Sequence, residues 1–213
     1  MSALKKHFVL LDKKSLWNAT GSCRVLLSKK YGYGELWIRM AEAIKDNIEY
    51  GKVVKGIDFN NRIVTTADGE KYKANVIITT IPWMEFNDID GMPDDTKESI
   101  NNLKFSSIQT EYFSENLDTS CQWIYYPDPK LPYHRILVRH NFCPNSRGYW
   151  TETNSERVAM EESNDNFKYM NQYAYPLNTI DKPSIMEKLL GWSAEHNVIG
   201  LGRWGEHQTI ILM

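Results

Sequence analysis

The residues best suited to chemistry are concentrated in one run, "WIYYPDPKLPYHR", from Trp123 to Arg135. Prolines remove backbone donors and hold the chain extended, so this run is not helical. Its tryptophan, tyrosines, histidine and arginine are therefore displayed from strand ends and turns. Planar rings suit stacking on a flat base, and a guanidinium grips phosphate oxygens with paired donors. An aromatic hairpin that only packs a core would have the same composition, and the run by itself leaves both readings open.

Other candidate groups are sparser. The chain's last apolar strand runs into "GLGRWGEH", where Gly200, Gly202 and Gly205 permit close backbone approach and Arg203 adds a positive charge. Strand ends of this kind hold nucleotide phosphates in α/β proteins, although a plain glycine-rich turn reads the same way. No G-x-G-x-x-G follows a strand, and no P-loop or G-x-S-x-G occurs. The five histidines have no metal-ligand spacing, and only His134, beside Arg135, adjoins a candidate site. Asp94-Asp95 and Glu161-Glu162 read as solvated faces.

The 213 residues suffice for one large or two small domains, and 42% hydrophobic with 24% charged residues is an ordinary globular composition. A net charge of −2 without a basic run argues against nucleic acid. Cys23, Cys121 and Cys143 are scattered, which suits reduced thiols and a cytoplasmic location. The opening "MSALKKHFVLLDKKSLW" is interrupted by Asp12, too early for a signal peptide or a membrane span.

The elements expected to position these groups begin with "GELWIRMAEAIKDNIEYG", a helix with Trp37, Met40, Ala41, Ile44 and Ile48 on one face. "KVVKGIDF" and "RIVTT" read as strands around an "NN" turn, and "ADGE" as an Asp-Gly hairpin turn. "ANVIITTIP" does not alternate, so it reads as a fully buried strand within a parallel or mixed sheet. A short helix over "DDTKESINNL" precedes the antiparallel strands "KFSSIQTEYF", "CQWIYYP", "YHRILVRHNF" and "GYWTETN". "NQYAYPLNTI" is extended, with Pro176 keeping it from a sheet centre. "KPSIMEKLLGWSAE" is a helix opened by Pro183, and "NVIGLG" a second buried strand. The two buried strands flank the antiparallel block, so a second-domain sheet is expected to be inserted into a first domain whose own sheet lies elsewhere, and the chain reads as the later half of a two-domain architecture.

The order "YGYGELW … GKVVKGIDFNNRIVTTADGEKY … VIITTIPWMEF … WIYYPDPKLPYHR … NF … YAYPLNT … GLGRWGEH" resembles the C-terminal half of UDP-galactopyranose mutase-like flavoproteins, within the amine oxidase and protoporphyrinogen oxidase superfamily. The likeness runs from about Cys23 to His207, and its most specific parts are the Trp–Tyr–Pro–Arg stretch and the G-R-W-G ending. It implies a mixed α/β (α+β) fold, part of an FAD-binding Rossmann-like domain with an inserted antiparallel substrate sheet. The implied divisions are 1–22 as an N-terminal segment, 23–86 and 181–213 as the partial FAD-binding domain, and 87–180 as the substrate sheet. By resemblance Trp123 and Tyr125 line a nucleotide-sugar pocket, Arg135 and Tyr175 contact a diphosphate, and Arg203 contacts the flavin. Val53 lends backbone contacts to the adenine end of FAD, and Gly32, Gly34 and Trp37 stand for the loop entering the helix near the flavin, with Gly202 beside Arg203.

The departures are as informative. The family's N-terminal βαβ unit, its flavin-side histidine loop and a first diphosphate arginine have no counterpart, and Phe142 stands where a tyrosine is frequent. After "GRWGEH" comes "QTIILM" in place of a polar closing segment. The implied activity is ring contraction of UDP-galactopyranose to the furanose with reduced FAD, a cofactor-based reaction that names no catalytic acid or base here. The chain alone is expected to be inactive, with a UDP-sugar as ligand and a separate N-terminal FAD-binding half as a candidate partner. Rival readings are another amine oxidase-type oxidoreductase and a non-catalytic nucleotide-sugar-binding remnant.

Overall fold

The computed structural model describes residues 32–143, 145–154 and 167–208. The expectations for residues 1–22, Cys23, Glu161-Glu162 and the closing "TIILM" lie outside that set. Helix α1 (Gly32–Ala43) is followed by a single 3-10 turn at Lys45–Asn47, so it ends earlier than its apolar spacing predicts. Trp37, Met40 and Ile44 from the expected buried face are all exposed among the described residues.

Strands β1 (Val54–Asp58), β2 (Ile63–Thr66) and β3 (Lys71–Lys73) form an antiparallel meander. Its first turn is held by Asp58, whose carboxylate accepts the Asn61 amide at 3.0 Å. Its second is the Asp68-Gly69 turn, with Gly69 at φ +86°. Strand β5 (Asp88–Asp90) adds to β1 in parallel, giving the order β3-β2-β1-β5. Helix α2 (Asp94–Ile100) carries Asp94 and Asp95 in its first turn, where carboxylates complement the positive helix end.

The inserted sheet contains β6 (Phe105–Phe113), β7 (Trp123–Tyr125), β8 (Arg135–Val138), β9 (Tyr149–Asn154) and β10 (Lys168–Pro176), all antiparallel. Their order is β10-β6-β9-β8-β7, which puts the Pro176 strand at an edge, where a missing donor costs no ladder bond. A short helix α3 (Arg139–Phe142), not evident from the sequence, follows β8 directly.

Helix α4 (Lys182–Glu195) has Pro183 in its first turn and leads to β11 (Val198–Gly200) and the four-residue α5 (Gly202–Gly205). Strand β11 pairs in parallel with β4 (Ile77–Thr79), Val198 opposite Ile77. The two apolar strands that flank the inserted sheet thus find each other. They are not buried on both faces, however. Ile77, Thr79 and Val198 face the core, while Val76, Ile78, Ile199 and Leu201 are exposed. Their unbroken apolar runs reflect one covered face and one apolar face open among the described residues.

The core unites Ile57 and Phe59 with Trp83, Phe86, Ile89, Met92, Ile100, Leu103, Ile185, Met186, Leu189 and Val198. Elements β5 and α2 fall inside the 87–180 stretch, yet their side chains Ile89 and Ile100 belong to this core with α4 and β11. Trp83 is fully buried and its indole Nε1 donates to the Gly205 carbonyl at 2.8 Å. A Cβ on Gly205 would lie 2.3 Å from the Thr79 carbonyl oxygen, and one on Gly200 would lie 2.3 Å from the Gly205 carbonyl oxygen. These glycines let the chain's own backbone approach itself, which corrects the expectation that they open space for another molecule.

Gly205→Ala is expected to destabilise the fold by more than about 2 kcal/mol, since its Cβ meets rigid backbone. Trp83→Phe should cost about 1–3 kcal/mol through the unpaired Gly205 carbonyl and the lost volume. Urea melts of both variants check this, and a wild-type midpoint for Gly205→Ala contradicts the packing.

Candidate functional site

The Trp123–Arg135 run divides its aromatics between two tasks. Its loop closes with Tyr126 N–H donating to the His134 carbonyl at 2.8 Å. Tyr126 and Tyr133 meet edge to face, 5.1 Å between centroids, so these two tyrosines pack the hairpin. Trp123 and Tyr125 alternate with Ile124 and share one face of edge strand β7, both exposed. Trp123 stacks on Phe142 at 6.0 Å.

Register then sets Tyr125 opposite Arg135, Arg135 opposite Glu152, Glu152 opposite Thr110, and Thr110 opposite Tyr169. This row crosses all five strands on one face. Directly opposed side chains are close enough to bond, and those of Tyr125, Arg135 and Glu152 do. Arg135 Nε donates to Glu152 Oε2 at 2.7 Å, its Nη2 lies 2.5 Å from the same oxygen, and its Nη1 donates to the Tyr125 hydroxyl at 3.2 Å. Burial pushes the Arg135 pKa down, but the Tyr125 hydroxyl, the Glu152 charge and the Tyr175 hydroxyl together hold it above the ordinary arginine value. The guanidinium therefore stays charged at every working pH.

Tyr175 and Arg203 complete the site from the far edge. Helix α5 carries Arg203 across to β10, where Nη1 donates to the Ala174 carbonyl at 3.2 Å and the guanidinium lies 5.1 Å from the centre of the Tyr175 ring. A cleft of about 150 Å³ lies between them, with Glu152, Asn171, Thr110 and Tyr169 in its walls. Arg203 and Glu152 thus line the same cleft, and Arg135 is bonded to Glu152 beside it. Another arginine on this side, Arg139, lies over Trp150 at 5.3 Å and over Tyr112 at 5.8 Å.

Among the expected site residues, Tyr125, Arg135, Tyr175 and Arg203 gather around Glu152, with Trp123 farther along the same face. Val53 and Gly34 lie elsewhere. Val53 precedes β1, its side chain exposed and its carbonyl accepting the Ala67 amide at 2.7 Å. Gly34 is in the first turn of α1. Gly202 opens α5 at φ +73°, and nothing lies within 4 Å of where its Cβ would be. Space is therefore open at the end of β11, beside Arg203. Glu152 was missed by sequence reading, because "GYWTETN" gives alternation but not the register that sets Glu152 against Arg135.

No group of three or more metal-ligating side chains occurs among the described residues. No described helix is long and apolar enough to cross a membrane.

Comparison with known proteins places this geometry in a family context. The family model of the flavin-containing amine oxidoreductases matches residues 2–113. No curated protein matches the chain. Among solved structures, reduced UDP-galactopyranose mutase superposes with a TM-score of 0.69 at 15% identity, over 84% of this chain and 46% of that one. A conjugated-linoleic-acid-producing fatty acid isomerase from P. acnes gives 0.60 at 14% identity, over 79% of this chain and 46% of its own. The chain thus spans about half the length of these structures, and at such identities the likeness is one of fold.

Glu152→Ala should destabilise by about 3 kcal/mol, because it leaves the largely covered Arg135 cation uncompensated. The double variant Arg135→Met/Glu152→Leu is expected to recover most of that loss. Thermal melts test the pair, and full additivity of the single variants contradicts it.

Proposed function

The chain belongs to the flavin-containing amine oxidoreductase family, and on that premise we propose that its five-stranded sheet binds the nucleotide-diphosphate part of a UDP-sugar, within a flavoprotein of the UDP-galactopyranose mutase kind. The observation that carries this reading is a cleft lined by Arg203, Tyr175 and Glu152, the last of which holds Arg135 from the neighbouring strand, with Tyr125 and the exposed Trp123 along the same face. Two always-charged forks match two phosphates, and an open indole suits a uracil ring. Neither arginine is saturated by its protein contacts, since a guanidinium offers five donors.

In this reading Arg135 is held in place before ligand arrives, fixed from one side by Glu152 and from the other by the Tyr125 hydroxyl. Preorganisation of this kind lowers the entropy lost on binding. Arg203, stacked on Tyr175, joins the ligand cleft to the end of β11. Gly202 and Arg203 are the residues that would hold a flavin there, with Val53 and Gly34 as more distant contacts. Bound FAD would supply the chemistry of ring contraction, which works from the reduced cofactor and asks of the protein binding, orientation and electrostatics. Side chains here bind and orient, and the remaining cofactor contacts belong to an N-terminal dinucleotide-binding half.

A second reading, an amine substrate, is favoured by Glu152, a carboxylate in the cleft wall. Arg135 already neutralises that carboxylate, and Arg203 adds a further positive charge to the cleft, which favours an anion instead.

Arg135→Ala should weaken UDP about ten- to a hundred-fold by removing a charge-assisted contact, while uridine is hardly affected. Trp123→Ala should weaken both ligands. Calorimetric titration of UDP, uridine and a diamine decides between the readings. Equal losses for UDP and uridine with Arg135→Ala would make the stretch a packed hairpin, and tight diamine binding would favour the amine.

A further inference from the structure

The sheet face that bears Arg135 carries a second row of side chains, two residues further along every strand. Trp123 stands opposite Leu137, Leu137 opposite Trp150, and Trp150 opposite Tyr112. Phe167 completes the row, its carbonyl accepting the Tyr112 amide at 2.8 Å and its ring stacked on Tyr112 at 6.0 Å. Every member is apolar or aromatic, and Trp123 and Phe167 at the two edges are exposed. Leu137, the smallest of the five, lies between two indoles, so the row is lowest there.

Arg139 stands just past this row, at the start of α3. It is exposed, and its guanidinium lies over Trp150 at 5.3 Å and over Tyr112 at 5.8 Å. Its backbone is fixed on both sides. The amide donates to the Gly148 carbonyl at 3.0 Å, and the carbonyl accepts the Ser146 hydroxyl at 2.9 Å. The Tyr112 ring beneath is fixed in turn, its hydroxyl donating to the Arg147 carbonyl at 3.0 Å. No carboxylate among the described residues pairs with Arg139. Aromatic rings hold a guanidinium through its charge and leave its N–H donors unspent. One face therefore presents the Arg135 cation, then an apolar row, then a second cation with donors to spare.

We propose that Arg139 selects the base of the bound nucleotide, which stacks on the Trp123–Leu137–Trp150 row with its carbonyl edge toward the guanidinium. The assignment rests on the nucleotide reading of the neighbouring cleft and adds to it the identity of the base. Two residues along a strand is about 7 Å, the scale of the ribose that separates phosphate from base. A guanidinium has donors and no acceptor. Uracil offers a carbonyl acceptor at the position where cytosine offers an amine donor, so Arg139 favours a uracil nucleotide.

CDP has the sugar and the charge of UDP and differs only in its base, so calorimetric titration of both into the purified chain isolates base recognition. Wild type should bind UDP about tenfold more tightly than CDP. Arg139→Met should bring the two to about parity by weakening UDP, and Arg139→Lys should keep part of the preference. Equal wild-type affinities, or a preference that survives Arg139→Met, overturn the role of Arg139 and leave the diphosphate site standing. Wild type that binds neither nucleotide overturns the nucleotide reading itself, and the base site with it. If Arg139→Met does not fold, nuclear Overhauser contacts between uracil H5 and the Trp150 indole in wild type decide, and their absence overturns the proposal.

Discussion

The structure depends on one close approach of backbone to backbone. Gly205 packs against Thr79 and Gly200 at distances that exclude any side chain, and Trp83 clamps it through the indole hydrogen bond. This joins β4 to β11 across more than a hundred intervening residues and closes the parallel pair. Parallel strands need a long crossover, and here that crossover is the entire five-stranded sheet with α2 and α4. The same contact fixes the end of α5, and therefore where Arg203 can reach.

From that joint the rest of the site follows. Arg203 spans from α5 to the Ala174 carbonyl on edge strand β10, so the cleft is built from the joint on one side and the sheet on the other. A second tie runs between them. The Tyr173 hydroxyl donates to Glu85, and Lys55 lies 3.7 Å from the same carboxylate. Burial and that carboxylate raise the Tyr173 pKa, so the phenol remains a donor. Tyr173 also packs on Phe105 and Trp204, with centroids 4.5 and 5.5 Å away, which ties β10 to the start of β6 and to α5. These ties keep Arg203 in place before any ligand arrives, as Glu152 does Arg135.

Much of this is legible in the sequence, for identifiable reasons. Asp-Gly at 68–69 announces a hairpin, Pro176 an edge, and the spacing in "KPSIMEKLLGWSAE" a helix, because each depends on local backbone chemistry. The Trp123–Arg135 run names its own candidates, since prolines and alternation fix how the side chains are displayed. Register is not local, and so Glu152, set against Arg135 only by the pairing of β8 with β9, stays hidden. The apolar runs of β4 and β11 mislead in the other direction. A strand with one face on the core and one apolar face open reads like a strand buried twice.

The central claim is that Arg203 in the cleft and Arg135 beside it, held on Glu152, meet the two phosphates of one ligand, and phosphorus NMR of UDP titrated with the purified chain tests it most directly. The account predicts that both phosphorus resonances shift saturably with wild type, and that Arg135→Ala and Arg203→Ala each diminish the shift. Unmoved phosphorus resonances, under conditions where uridine binds, would contradict it.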